Sequence, residues 1–119
     1  MEDISLYSKA RQKFLKNELE EAFNFYNKGF EQGEIKCAFG LAVCYYYGEG
    51  IKKDVQFANQ LFNDYYQPIL NLAETGDSEA QYIMCLYYSR GYSIPKMEKE
   101  AVKWCEKSAN SGYLDAQNY

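Results

Sequence analysis

Residues 37–54 read CAFGLAVCYYYGEGIKKD, a pattern that predicts one helix, a glycine-punctuated turn and the start of a second helix. Cys37, Leu41 and Cys44 recur at helical spacing, with the small residues Ala38, Gly40 and Ala42 set between bulky ones. Gly48 and Gly50 then stop the helix, because glycine takes the left-handed conformation that a helix C-cap needs. Asp54 suits the N-cap of the second helix, since its carboxylate can accept from the free amides of that helix's first turn. A divergent copy occupies residues 80–97, AQYIMCLYYSRGYSIPKM. A helix-turn unit that recurs is the signature of a stacked array.

On the N-terminal side, Leu6, Tyr7, Ala10, Phe14 and Leu15 form an amphipathic stripe over residues 4–15. Asn17 followed by Glu20 resembles a capping box and predicts a second helix starting there. Leu19, Ala22, Phe23, Tyr26 and Phe30 carry that helix on one face until Gly33. The helix of the opening stretch then covers residues 34–47, and its partner runs from Val55 through Ala58, Leu61 and Phe62. Pro68 removes one amide and clashes with the carbonyl of Asp64, so the helix there must kink, or stop and restart. A restart is favoured, because proline pushes Gln67 away from helical geometry. Further helices are expected over residues 78–90 and 98–110, and no strand reading survives anywhere.

The glycines expected to close each second helix are Gly33, Gly76 and Gly112, at intervals of 43 and 36 residues. These are helical-hairpin repeat lengths. The extra seven residues lie between Phe62 and Leu70, around Pro68. Seven residues make about two helical turns, so the apolar face can return to the same side after the insertion.

Composition limits the functions open to this chain. Its 119 residues and 13.9 kDa suit one domain of about five to seven helices. Thirteen tyrosines raise the aromatic share to 18%, which suits half-buried surface, binding grooves included. Net charge is −4 with no basic block, so the electrostatic footprint for nucleic acid is missing. No apolar run approaches membrane-spanning length, and the start MEDISLYSKARQKFLKN has acids where a signal peptide has bases. Read as a native start, it points to a cytoplasmic protein. No histidine is present, which removes histidine-activated nucleophiles and histidine-containing zinc sites. Cys37, Cys44, Cys85 and Cys105 show no CxxC spacing. They allow two disulfides in three connectivities, but each falls where a small apolar residue is wanted, so reduced, buried cysteines are the favoured reading.

The ordered matches resemble a known family, the Sel1-like repeat proteins, relatives of the tetratricopeptide arrays. One hairpin supplies Cys37, Ala38, Leu41, Ala42, Tyr45, Gly48, Gly50, Ile51, Asp54 and Ala58. The next supplies Ala80, Gln81, Met84, Cys85, Tyr88, Gly91, Ile94, Pro95, Ala101, Trp104, Cys105, Ala109 and Gly112. An initial fragment matches through Ala22, Phe25, Tyr26, Lys28 and Gly33, and Ala116 with Gln117 opens another unit. The resemblance implies an all-α, right-handed superhelical solenoid of antiparallel helix hairpins. On this reading residues 1–33 are a divergent N-terminal hairpin or cap, 34–76 a repeat with the insertion, 77–112 a repeat, and 113–119 the start of a further helix.

Departures from the family pattern stand out, beginning with the first helix, residues 4–15, which does not fit it and reads as a terminal cap. Ser93 replaces the second turn glycine and Met97 the capping aspartate, which predicts a less regular turn over 91–97 and a helix start weaker by about 1 kcal/mol. In the disulfide-bonded branch, cysteines recur seven apart across the hairpin junction; Cys37 has Phe30 at that distance, which argues against that branch. The small residues Ala42, Ala58, Ala80, Cys85 and Ala101 let helix axes approach, while Tyr45, Tyr88 and Trp104 fill the spaces between.

Catalysis finds little support. The turn Gly48-Glu49-Gly50-Ile51-Lys52-Lys53 lacks the strand and the GK[ST] ending of a phosphate loop, so it reads as a structural turn. Glu18, Glu20 and Glu21, or Asp77 with Glu79, could pose as carboxylate pairs, but they fall in first turns, where acids complement the helix dipole. No catalytic, cofactor-binding or metal-ligating residue is assigned. What the family resemblance implies instead is a concave groove lined by the first helix of each hairpin. The residues it projects are Phe39, Val43, Tyr46 and Tyr47 from one helix and Tyr82, Leu86, Ser89 and Arg90 from the next, flanked by Lys36 and Glu79. These form either a binding surface or packing against a neighbour, above all at Phe39 and Leu86.

The expected function is a non-enzymatic adaptor that binds another protein or a peptide segment, with no nucleic acid, membrane or cofactor as partner. The alternative is a structural protein whose copies dimerise or stack end to end through terminal hairpins. A hydrolase using cysteine or carboxylate chemistry is the remote third reading.

Overall fold

Left-handed backbone marks nearly every helix end in the computed structural model, which describes residues 4–117. The expected units that begin at residue 1 and end at residue 119 extend outside those residues. Among the described residues there are seven helices and no strand: α1 Leu6–Leu15, α2 Leu19–Glu31, α3 Ile35–Tyr47, α4 Val55–Glu74, α5 Ser78–Arg90, α6 Glu98–Asn110 and α7 Leu114–Gln117. The all-α class read from the repeat is the observed one. The chain forms two compact units that divide between Tyr65 and Tyr66.

In the first unit α1 packs on α2 and α2 on α3. Close approach explains the small residues: a Cβ added at Gly40 would stand 2.2 Å from the Tyr26 ring, and one at Gly29 would stand 2.3 Å from Cys37 Sγ. Tyr7, Tyr26, Leu41 and Phe62 are buried around these contacts. Aromatic rings tie the elements together: Tyr7 meets Tyr26 at 5.9 Å, Phe23 meets Tyr45 at 5.7 Å, and Phe30 meets Tyr65 at 5.8 Å.

In the second unit α5 packs on α6 and α6 on α7. Ile83, Met84, Cys85 and Tyr87 are buried, with Ala101, Trp104 and Cys105 from α6. A repeated device fixes the helix junctions. The amide nitrogen of Gln81 donates to the Ala73 carbonyl at 3.2 Å, and that of Gln117 to the Ala109 carbonyl at 3.1 Å. Each glutamine thereby adds a second hydrogen bond to a carbonyl in the last turn of the preceding helix, which also accepts from the amide of the closing glycine, Gly76 or Gly112.

Three expectations are corrected. Asn17 does not open α2; it sits at φ 62°, closing α1, and its amide donates to the Phe14 carbonyl. The N-cap of α2 is Glu18, without a side-chain cap bond. At Pro68 the helix does not restart: α4 continues from Val55 to Glu74. Asp64, whose carbonyl loses its partner to the proline, is exposed, so water can replace the missing amide. The seven additional residues are accommodated as helix, with 20 residues in α4 against 13 in α6. Ala58, Leu61 and Phe62 and then Ile69 and Ala73 are buried along it.

The third correction concerns the turn at 91–97, which is as regular as that at 48–54. Gly48 and Gly91 both adopt φ 69°, and Ser93 follows Gly50 into the left-handed region. The Asp54 amide donates to the Tyr45 carbonyl at 2.9 Å, and the Met97 amide to the Tyr88 carbonyl at 3.0 Å. Only the caps differ, as their side chains require. Asp54 Oδ1 accepts from the Phe57 amide, whereas Met97 makes no side-chain cap bond.

Candidate functional site

The residues singled out for binding lie on α3 in the first unit and α5 in the second, at one-face helical spacing within each helix. On α3, Phe39 is 4% exposed and its ring lies 5.7 Å from that of Phe62, so it belongs to the core. Tyr46 bridges inside and outside: its ring is 6.0 Å from Phe62 and 4.9 Å from Tyr47. Tyr47 is 43% exposed, and Val43 is half-buried on the same face. Lys36 lies with its Nζ 5.8 Å over the Tyr7 ring, which places its charge towards α1. The structure therefore brings Val43, Tyr46 and Tyr47 to one partly open face of α3.

On α5, Leu86 is 9% exposed and is likewise core. Tyr82 is half-buried, with its ring 5.4 Å from that of Tyr113. The Ser89 hydroxyl donates to the Leu86 carbonyl at 3.4 Å. Arg90 is exposed at the end of the helix, and Glu79 is half-buried in its first turn. Sequence reasoning missed Tyr113. Its signal was an aromatic residue directly after the closing Gly112, where the equivalent positions after Gly33 and Gly76 hold Glu34 and Asp77.

Other groups that might carry chemistry are committed elsewhere. Lys13 Nζ sits 2.9 Å from Glu18 and 3.0 Å from Glu21. The hydrogen bond to Glu18 lowers that carboxyl below its ordinary value and raises Lys13. The Asp77 carboxylate caps α5 by accepting from the Ala80 amide at 2.8 Å. All four cysteines are buried thiols outside any disulfide. Burial pushes the Cys44 thiol up to about 12 and also raises Cys105, which keeps both protonated at neutral pH, the opposite of an activated nucleophile. The Tyr66 and Tyr88 hydroxyls are hydrogen-bonded to each other. Among the described residues no group of three or more His, Cys, Asp or Glu side chains could hold a metal ion, and no helix is long and apolar enough to cross a membrane.

Comparison with known proteins agrees with the repeat reading. The crystal structure of a Sel1 repeat protein from Oxalobacter formigenes is similar at TM-score 0.53 and 24% identity, over 90% of this chain and 44% of that one. The crystal structure of c5321, a protective antigen present in uropathogenic Escherichia coli strains and displaying an SLR fold, is similar at TM-score 0.52 and 24% identity. That match covers 94% of this chain and 24% of the antigen. The chain thus spans less than half the length of either structure, and the likeness shows the fold, a helical repeat solenoid. No curated protein matches the chain. The Sel1 repeat model matches residues 12–34, 35–63 and 78–113, three segments that together cover most of the sequence, and the chain belongs to the Sel1 repeat family.

Proposed function

We propose that this chain is a protein-interaction module that binds a peptide segment or a protein surface through the open faces of α3 and α5, without chemistry of its own. Sel1 repeats are in general protein–protein interaction modules, and membership of that family supports the class of function. The observation that carries the choice of surface is Tyr47, a large aromatic side chain left 43% exposed beside Tyr46 and Val43 on a well-packed helix. Tyrosine offers contact area at low entropy cost, and Arg90 adds a planar, always-charged donor at the end of α5. A rigid helix face loses little ordering entropy when a partner docks, so preorganisation is the proposed source of affinity. Phe39 and Leu86 support these faces from beneath.

The test is affinity capture from the native host with the wild-type chain and with Tyr47→Ala plus Arg90→Ala, after circular dichroism has shown equal helicity. Loss of specific partners in the variant is expected. Equal retention of those partners would place the binding surface elsewhere.

A further inference from the structure

The two glycine turns follow one backbone path, but the side chains set against them differ in kind. The Tyr45 and Tyr88 carbonyls accept from the Asp54 and Met97 amides, which makes Tyr45 and Tyr88 equivalent. Phe57 and Glu100 each stand three residues beyond those amides. Gly33 and Gly76 close α2 and α4 with the same bond, to the Phe30 and Ala73 carbonyls, and ten residues before them stand Phe23 and Tyr66. In the first unit these three positions form an aromatic cluster: the Tyr45 ring lies 5.7 Å from that of Phe23 and 4.9 Å from that of Phe57.

In the second unit the same positions hold three oxygen-bearing side chains, Tyr66, Tyr88 and Glu100. The ring pair is kept, at 6.4 Å and 82° against 5.7 Å and 85°, but it now meets through its hydroxyls, 2.5 Å apart. Only one of the two hydroxyl protons can lie in that bond, and among the described residues no other side chain accepts the second. Glu100 takes the place from which Phe57 reaches the Tyr45 ring. Burial, the bond to Tyr66 and the Glu100 charge together raise the Tyr88 hydroxyl above the ordinary phenol value. All three side chains are half-buried, so the cluster opens to solvent.

We propose that Tyr66, Tyr88 and Glu100 form a binding site for a hard trivalent cation, ferric iron. The donors are all oxygen, without the nitrogen or sulfur that selects zinc or copper. Adjacent oxygens on a small octahedral cation with bonds of about 2 Å stand about 2.8 Å apart, so the hydroxyl pair needs to open only slightly. A phenol ordinarily loses its proton near pH ~10, so an ion that displaces two such protons at neutral pH must be strongly polarising. Two phenolates and one carboxylate then supply three negative charges against the three positive charges of the ion. Both displaced protons pass to solvent, and water completes the coordination. The site uses none of the residues assigned to the α3 and α5 faces, and stands whether or not those faces bind.

The probe is ferric iron, supplied to the full chain as its nitrilotriacetate complex and read by the phenolate-to-iron charge-transfer band in the visible. One equivalent is expected to saturate the band. Tyr66→Phe and Tyr88→Phe should each weaken binding at least about tenfold, and the double variant should stay colourless. Phenylalanine keeps the ring packing, as Phe23 does in the first unit, and circular dichroism checks helicity. Glu100→Gln should weaken binding at least about tenfold while keeping the colour. Tyr45→Phe, at the equivalent position of the first unit, should change nothing. Iron should also raise the thermal midpoint of the wild type and leave that of the double variant where it was. Absence of the band, or equal affinity in Glu100→Gln, overturns the proposal. So does a band of equal strength in the double variant, which would mean an adventitious ion only.

Discussion

At the scale of single residues, equivalent positions of the repeat tolerate different side chains because their surroundings differ. Gly50 and Ser93 share the left-handed conformation, at φ 79° and 55°. A Cβ at Gly50 would stand 2.2 Å from the Leu19 carbonyl oxygen, so its replacement meets backbone as well as conformational strain. Gly50→Ala should therefore destabilise by about 2–4 kcal/mol, from the left-handed cost together with overpacking. Ser93→Gly should be stabilising by up to about 1 kcal/mol, since it relieves strain at a turn already formed. Urea unfolding of the two variants checks both signs. Cys44 gives a pH signature. Burial raises its thiol from an ordinary 9.0 to about 12, so above pH 9 the unfolded chain binds fewer protons than the folded one. Stability should then fall as pH rises from 9 towards 12, by at most about 1.4 kcal/mol per unit from this group. Buried Tyr26 and Tyr87, also raised by desolvation, add loss of the same sign at the upper end. Denaturant midpoints across that range should decline less steeply in Cys44→Ala than in wild type.

At the scale of elements, helix ends and interruptions set local stability. α6 starts at Met97 without a side-chain cap, while the equivalent Asp54 accepts from the Phe57 amide at 3.0 Å. Because the two turns share one backbone path, Met97→Asp should restore the bond and stabilise by about 0.5–2 kcal/mol in thermal or urea unfolding. α4 carries Pro68 in its interior and continues regardless. A proline there costs about 3 kcal/mol against alanine in an isolated helix, so Pro68→Ala should raise stability by about 1–3 kcal/mol, some of the cost having been absorbed by solvent at Asp64. A loss of stability would mean that the proline ring packs better than any helix hydrogen bond it prevents.

At the scale of the whole molecule, cohesion comes from apolar packing rather than covalent links. The four cysteines are thiols outside any disulfide, buried as small core residues. Adding excess reductant should therefore leave the unfolding midpoint unchanged, and a downward shift would reveal a cross-link. The two compact units each bury aromatic side chains against small ones, as in Tyr26 over Gly40 in the first unit. Stability in such arrays is a sum of local units and their interfaces, which is why so short a repeat can differ in length by seven residues without losing its pattern.

The repeat, its glycine closures, the helix class and the extra seven residues were legible from spacing alone, because helical periodicity and left-handed caps are local properties of sequence. Phe39 and Leu86 were already marked as the groove positions most apt to pack, but binding and packing stayed open as alternatives, since an apolar residue on a helix face reads the same whether the face is covered or open. Pro68 misleads for a related reason: local proline chemistry favours a break, while apolar burial on both sides of it, at Phe62 and at Ile69, holds the helix through. The regular turn at 91–97 likewise required knowing that the backbone bonds around Ser93 were intact. By itself, then, the sequence determined a chain of helical hairpins built on a recurring closure. Tertiary structure alone decided which aromatic side chains are buried and which, like Tyr47, stay 43% exposed, because burial depends on what stands opposite and that is not a local property.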